Sequence, residues 1–448
     1  MTESEYASAS RDELIAVIRH DEGIIDEQQT LIAALQVRIS ALEHKLSGRN
    51  GPGMPGLKPA RGKAPPTKER KRREKGYGRP RLPPTETVQH VVETCPDCGT
   101  TLLGGWVQGT REVIELPLAP VRVIEHQYWA RECPCCHKRH VPPVDLDGVV
   151  LEEQQRLGIG VVSLITTLRE EGRWPFATIQ WYLQTVHQLH LSLGELVRVV
   201  GQVAERAKAT VTAIQQAIQA SAVVHADETG WREKGKNGYV WTFRTPTHSY
   251  FVRGGRKKEM VDDALGAEFA GVIVCDFYAS YDHYPGLKQR CWAHLLRDIH
   301  DLTEIYPADQ ALADWAAAVH ILYDEAKAVA HPEESLRLAY QRDLEERLLA
   351  RCRPFLTDPL AVHGKLARRI ERHLSELFVF VGNPLVPPTN NAAERSLRHL
   401  VTSRKISGGT QSPRGTSTKM TLASLFGTWR LQGLNPLHAC RDLLQSPA

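Results

Sequence analysis

The 448-residue sequence has no uninterrupted apolar stretch long enough to cross a bilayer, and its start, Met1 to Glu22, is acidic and lacks the basic flank and apolar run of a signal peptide. A cytoplasmic, nucleoid-associated chain is expected. A strong net charge is missing too: 56 Lys and Arg against 52 Asp and Glu leave a formal +4, too little to specify a partner, so the clustering of basic residues is more informative. Cysteine is sparse outside one region. Cys275, Cys291, Cys352 and Cys440 are scattered as ordinary buried thiols, while Cys95, Cys98, Cys133, Cys135 and Cys136 crowd together. In a reducing compartment that crowding favours metal binding over disulfides. Length and a 42% hydrophobic content allow a sizeable core divided among several modules.

Residues 1–46 carry a seven-residue repeat, with Ile18, Ile25, Ile32, Ile39 and Leu46 at one position and Leu14, Leu35 and Leu42 at the other. β-Branched residues at the first and Leu at the second favour a parallel two-stranded coiled coil, a leucine-zipper dimeriser; Asp21 and Gln28 interrupt the seam. The bland alternative is a short amphipathic helix packed on the chain's own core. Residues 47–90 read as a flexible linker, rich in Gly and Pro without apolar periodicity. Within it Lys68, Arg70, Lys71, Arg72, Arg73, Lys75, Arg79 and Arg81 make a basic arm suited to DNA phosphates or a minor groove.

Residues 91–145 hold Cys95-Pro-Asp-Cys98 and Cys133-Pro-Cys135-Cys136, separated by two strand-like runs, Glu112 to Leu116 and Val121 to Ala130. Two C-x-x-C knuckles bracketing a hairpin make a zinc ribbon, in which Cys95, Cys98, Cys133 and Cys136 close a tetrahedral, structural Zn²⁺ site. Residues 150–219 are helical: Leu157 to Leu168, a break over Gly172 to Pro175, Ala177 to Val186, then Leu193 to Ile218. A helix-turn-helix fits this pattern, and three-helix packing without DNA contact fits it about as well.

Beyond Gln219 the period changes. Ser221 to Ala226 reads as a buried strand ending at Asp227, Tyr239 to Arg244 and Ser249 to Arg253 as a hairpin, Lys258 to Phe269 as a helix, and Gly271 to Cys275 as a buried strand ending at Asp276. Two carboxylates at the ends of two such strands follow the order of a ribonuclease H-like core. In-line phosphoryl displacement uses two divalent ions, and hard ions such as Mg²⁺ prefer carboxylate oxygens. A third carboxylate stands in Pro388-Thr-Asn-Asn-Ala-Ala-Glu394-Arg-Ser-Leu-Arg398, where Thr389 or Asn390 caps a helix and Glu394 sits one turn in. On spacing alone, a metal ligand and an ordinary solvent-facing Glu are equally good readings.

The segments HADETGW around Asp227, CDFYASYDHY around Asp276, QRCWAHLLRD from Gln289 to Asp298 and PTNNAAERSLR around Glu394 closely resemble the TnpC-type transposases of the insertion sequence sixty-six family. The likeness extends to the coil and the zinc ribbon. It implies that Asp227, Asp276 and Glu394 form a DDE triad binding Mg²⁺ or Mn²⁺ on a ribonuclease H-like fold, with a helical insertion before the Glu.

Neighbouring residues follow from position. Glu228 is expected on the strand face opposite Asp227. His294 and Arg297 share a helix face, suited either to orienting a phosphate or carboxylate or to plain packing. Asn390 and Asn391 are expected to support the Glu394 helix, and Arg395, Arg398, Arg404 and Lys405 to clamp DNA. Ser407 to Lys419 reads as a mobile loop and Thr421 to Leu431 as a closing helix. The whole is a multidomain α+β chain, with residues 220–300 and 383–448 as the two parts of the core and 301–382 as the insertion. Its expected activity is metal-dependent 3′-end cleavage of double-stranded transposon ends and strand transfer into target DNA, by a homodimer or higher oligomer with possible accessory proteins encoded by the element. The rivals are an inactive or domesticated DNA-binding regulator, and a nuclease that does not join strands.

Overall fold

The computed structural model describes residues 81, 83–114, 121–152, 155–358 and 361–446, with scattered positions between 10 and 36. The chain divides into two compact units, Lys45–Pro120 and the remainder. Of the heptad positions, Ile25 and Ile32 are helical and exposed; Leu14, Ile18, Leu35, Ile39, Leu42 and Leu46 lie outside the described residues.

One five-stranded mixed sheet organises the larger unit. Its strands are β3 (Val223–Glu233), β4 (Lys236–Arg244), β5 (Ser249–Gly254), β6 (Val272–Cys275) and β7 (Lys288–Arg290), in the order β5-β4-β3-β6-β7. β3, β4 and β5 form an antiparallel meander, whereas β6 and β7 run parallel to β3. Two very short strands, β1 (Arg131–Glu132) and β2 (Arg139–His140), stand apart. β6, all Val, Ile and Cys, is buried at every position, as a parallel strand covered on both faces should be. At its mouth Gly271 is required sterically: a Cβ would meet the carbonyl oxygens of Ser221 and Ala222 at 2.5 and 2.9 Å.

β3 is longer than the sequence suggested. It continues past Asp227 to Glu233 and turns into β4 through Lys234 and Gly235, both at positive φ (49° and 77°), the geometry of a two-residue hairpin turn. The polar run ETGWRE hid this half of the strand, because it has a single antiparallel partner and is only partly buried.

Among the described residues from 155 to the sheet are four helices, α1 (Ile159–Glu170), α2 (Phe176–His187), α3 (Leu193–Arg206) and α4 (Lys208–Gln219). The stretch Leu193 to Ile218, read as one helix, breaks at Ala207. α5 (Glu259–Leu265) precedes β6. After β7 come α6 (Trp292–Ile305), α7 (Gln310–Ala328), α8 (Glu334–Cys352), α9 (Gly364–Arg372) and α10 (Val379–Gly382), which share one apolar core around Trp292, Val319, Leu348 and Phe378. The chain ends with α11 (Asn391–Ser407), α12 (Pro413–Leu431) and α13 (Pro436–Gln445). α12 and α13 pack into the core of the first four helices through Leu422, Leu425, Phe426, Cys440 and Leu444. The ion pair of Lys419 with Glu170, 2.7 Å and nearly solvent-free, ties α12 to α1.

The segment Ser407 to Lys419 is not a free loop. α12 begins at Pro413, capped by the Ser412 side chain accepting from Gly415 N–H, so only five residues separate it from α11. That short link is laddered onto β3: Thr410 N–H donates to the Arg232 carbonyl (2.9 Å) and Lys234 N–H to the Thr410 carbonyl (2.8 Å). Its Gly, Ser and Thr content disguised a capped helix start.

Candidate active site

The acidic centre opens at the carboxyl ends of the parallel strands, where such sheets hold their ligands. β3 pairs with β6 only over Val223–His225, so Asp227 lies just past the point where its parallel neighbour stops, and Asp276 directly follows β6. Burial, then the charges of Asp276 and Glu228, push the Asp227 carboxyl up to about 8, with Glu394 adding to the effect. The ionised form of Asp227 is thus disfavoured both by its burial and by the acidic groups around it. Cations would relieve that repulsion, and Glu394 Oε1 is a buried oxygen with no hydrogen-bond partner among the described residues. A donor set of hard carboxylate oxygens fits Mg²⁺ or Mn²⁺.

Glu394 is about a hundred residues from Asp276 in sequence, and the fastening that returns it is specific. Asn390 is fully buried at the start of α11. Its Nδ2 donates to the carbonyl of Ala226 (2.7 Å), its Oδ1 faces His225 Nδ1 (3.1 Å), and its backbone N–H donates to Cys291 Sγ (3.1 Å). The Asn390 side chain therefore does not cap its own helix; it bonds across to the residues preceding Asp227. Cys291 completes the clasp by donating its N–H to the Cys275 carbonyl (2.8 Å), while Trp292 N–H donates to the Pro388 carbonyl (3.0 Å). The insertion is returned to β7 by Gln289, whose Nε2 donates to the Leu377 carbonyl (2.9 Å) and whose Oε1 accepts from Phe380 N–H (3.0 Å).

Sequence reasoning missed Arg290. Fully buried at the end of β7, it donates from Nη1 to the Asp276 carbonyl (2.8 Å) and pairs with Asp282 and Glu376. Burial pushes Glu376 up, but the His373 hydrogen bond and Arg290 outweigh it and hold the carboxyl down at about 2. Asp276 Oδ1 accepts from Tyr278 N–H (2.9 Å), so both ends of this aspartate's loop are fixed. The Glu228 side chain is only 3% exposed; Arg256 holds it at 2.8 Å and Tyr281 donates its hydroxyl to it. Burial and then the charge of Asp276 raise its pKa, so it remains electrically part of the centre. Arg256 also lies over the Tyr278 ring at 3.8 Å.

Among the other expected residues, His294 lies 3.7 Å from Glu394, while Arg297 is exposed further along α6. Asn391, Arg395, Arg398 and Lys405 are exposed on α11. Arg404 is turned inward, donating to the Gly230 carbonyl and to Thr229. Arg81 donates to Thr110, whereas Lys68, Arg70, Lys71, Arg72, Arg73, Lys75 and Arg79 lie outside the described residues.

The two cysteine knuckles fall in different units, Cys95 and Cys98 in one, Cys133 and Cys136 in the other, and each makes the same turn. Cys95 N–H donates to the Thr100 carbonyl and Gly99 N–H to the Cys95 carbonyl; Cys133 N–H donates to the Lys138 carbonyl and His137 N–H to the Cys133 carbonyl, each at 2.9 Å. Gly99 and His137 both take positive φ, 74° and 55°. A hydrogen bond with the Thr100 side chain lowers the Cys98 thiol, and backbone N–H groups of Cys136 and Cys135 lower Cys133. In each knuckle a lowered thiol on such a turn suits a thiolate-binding ion such as Zn²⁺. The strands expected at Glu112 to Leu116 and Val121 to Ala130 are not formed over their described residues; the short ladders flank the knuckles instead, β1 with β2 and Thr94 with Thr101. Val113, Val123 and Trp129 remain exposed there, so no apolar layer supports a longer hairpin.

Fold and site together define a mixed α/β protein with an acidic centre and a separate pair of cysteine knuckles. Residues 155–418 match the model of the transposase IS66 family, and residues 93–137 match the zinc-finger binding domain of transposase IS66. The chain belongs to the IS66 transposase family. The proteins it is similar to include three of Sinorhizobium fredii (strain NBRC 101917 / NGR234). Uncharacterized protein y4jO is 40% identical over 80 residues, 18% of this chain and 25% of that protein. Uncharacterized protein y4jD is 25% identical over 220 residues, 45% and 42% of the two chains, and y4hP is 22% identical over 405 residues, 80% and 72%. The matched part thus spans a quarter and about two-fifths of the lengths of y4jO and y4jD. Among the described residues no helix is long and apolar enough to cross a membrane.

Proposed function

We propose that this chain is a DNA transposase that cleaves the 3′ ends of its element and joins them to target DNA, with Asp227, Asp276 and Glu394 holding two divalent ions on a ribonuclease H-like core. The observation that carries the reading is the electrostatics at Asp227: burial first, then the charges of Asp276, Glu228 and Glu394, push its carboxyl up to about 8, so acidic groups from the middle strand, its parallel neighbour and a distant helix all act on one carboxyl. The order of an antiparallel three-strand meander with two parallel strands beside its first member supports the ribonuclease H-like assignment.

When bound, the ions supply charge that activates the attacking oxygen and stabilises the leaving one. The protein's own groups do the holding. Arg290 and the Tyr278 amide fix Asp276, and Asn390 fixes the first turn of α11 beside Asp227. In the first step a water oxygen bonds to phosphorus, the P–O3′ bond breaks, and the leaving oxygen takes a proton to become the 3′ hydroxyl. In the second step that hydroxyl bonds to a target phosphorus, displacing a new 3′ oxygen. Glu394, Arg398 and Lys405 recur at i, i+4 and i+11 on α11, one stripe of the helix, so two exposed cations follow the third carboxylate along a single face suited to DNA phosphates. The basic arm and the zinc-finger region would engage the terminal repeats, and the N-terminal heptads would pair protomers so that two ends are synapsed at the nucleoid.

The test uses purified full chain, Mg²⁺ or Mn²⁺, and duplex DNA bearing the element's ends. Wild type yields 3′-hydroxyl ends and joined products, and Asp227→Asn, Asp276→Asn and Glu394→Gln each lower the rate by at least on the order of 10²-fold. Undiminished cleavage in any of the three removes that residue from the triad.

A further inference from the structure

The first turns of α6 and α11 meet beside the acidic centre, and they bring three different donor types together. Cys291, His294 and Glu394 each present a ligand atom within 4.8 Å of the others. His294 Nε2 lies 3.7 Å from Glu394 Oε1, too far for a hydrogen bond and suitable for two ligands of one ion. His294 Nδ1 and Glu394 Oε1 are both buried and have no hydrogen-bond partner among the described residues. Neither side chain is thus tied into the surrounding network, although both sit in helix turns whose backbones are clasped by Asn390 and Trp292. Cys291 differs: its thiol already accepts the Asn390 N–H, and its burial keeps it from ionising for a hard ion.

We infer that His294 is a nitrogen ligand to the ion on the Glu394 side of the centre, so that this position binds Mn²⁺ in preference to Mg²⁺. The inference rests on the carboxylate-centre reading above. Carboxylate oxygens serve Mg²⁺ and Mn²⁺ alike, whereas an imidazole favours a transition ion, which stands higher in affinity for nitrogen and accepts less regular coordination. A Glu–His arm makes the centre chemically asymmetric: oxygen donors on the aspartate side, mixed donors on the other.

Mn²⁺ is the probe, because the thiolate knuckles select softer ions. The full-length, zinc-loaded chain is titrated with Mn²⁺ and followed by electron paramagnetic resonance, with electron spin echo modulation reading nitrogen coupled to the bound ion. Wild type is expected to show imidazole ¹⁴N modulation, and Mg²⁺ to displace this ion only in large excess. His294→Gln loses the modulation and weakens one Mn²⁺ site by roughly tenfold or more. Asp276→Asn weakens Mn²⁺ binding in either case. If wild type binds Mn²⁺ in a manner sensitive to Asp276→Asn but without ¹⁴N modulation, His294 is no ligand while the carboxylate centre stands. If Mn²⁺ binding ignores both substitutions, the carboxylate reading fails and the inference with it. The wild-type spectrum needs no variant to fold.

Discussion

The sheet-centred body and the cysteine-knuckle region solve the same problem with different means. In the body, Trp241, Phe243, Ile273 and Trp292 are wholly buried, and even the polar groups Arg290, Gln289 and Asn390 are enclosed and hydrogen-bonded. Around the knuckles, Leu103, Trp106, Val107, Val113 and Val123 are each more than three-quarters exposed, and ladders reach two residues. Apolar burial at about 25 cal/mol per Å² holds the first together. The second has little to bury, which fits the match of residues 93–137 to a zinc-finger domain, a class of module whose order comes from bound metal.

The widest separation of the two regions should come from metal removal. Structural zinc contributes on the order of 10 kcal/mol to such small modules. A strong chelator is expected to abolish protection of amides around Cys95 to Thr101 and Cys133 to His140 in hydrogen exchange, while those of β3 and β6 stay protected. Loss in both regions together would erase the contrast. Next comes Lys419→Ala, which leaves the Glu170 carboxylate uncompensated in the interior and should cost about 3–5 kcal/mol in denaturant unfolding. Arg347→Ala, in an exposed pair with Glu325, gives the surface reference at under about 1 kcal/mol.

A smaller effect is expected for Asn390→Ala. It orphans the buried Ala226 carbonyl and His225 ring, about 1–3 kcal/mol each at most, and loosens α11 where Glu394 begins. Mg²⁺ affinity should fall along with stability. Serine at the same position, too short to span to β3, should not restore it. A separate signal is one of pH. Asp227 has a folded pKa of about 8, raised from its ordinary 3.8, so without metal its contribution to stability is fully present below 3.8 and lost as pH rises through 8. Divalent ions bind the ionised form, so the rise in Tm on adding Mg²⁺ should grow between pH 6 and pH 9. A constant shift across that range would mean that Asp227 does not face the ion.

How much of this was legible in the sequence follows range. Asp227 and Asp276 end the runs VVHA and VIVC, and buried strands announce themselves locally, as did the hairpin β4–β5. The far half of β3 was hidden because its stability comes from one neighbour and a ladder to Thr410. α12 was hidden at its start because a Ser cap followed by Pro, Arg and Gly reads as loop. The convergence of Glu394 depends on contacts such as Asn390 to Ala226, 164 residues apart, and Arg290 to Glu376, 86 apart. No periodicity encodes those. The motif around Glu394 marked the residue through its resemblance, while the clasp that returns its helix to the residues preceding Asp227 became visible only in three dimensions.

The central claim is that three distant carboxylates form one metal centre. Anomalous diffraction from crystals soaked in Mn²⁺ tests it directly. The account predicts anomalous peaks bonded to oxygens of Asp227, Asp276 and Glu394. Mn²⁺ bound elsewhere, with these three carboxylates unliganded at saturating ion, would contradict it.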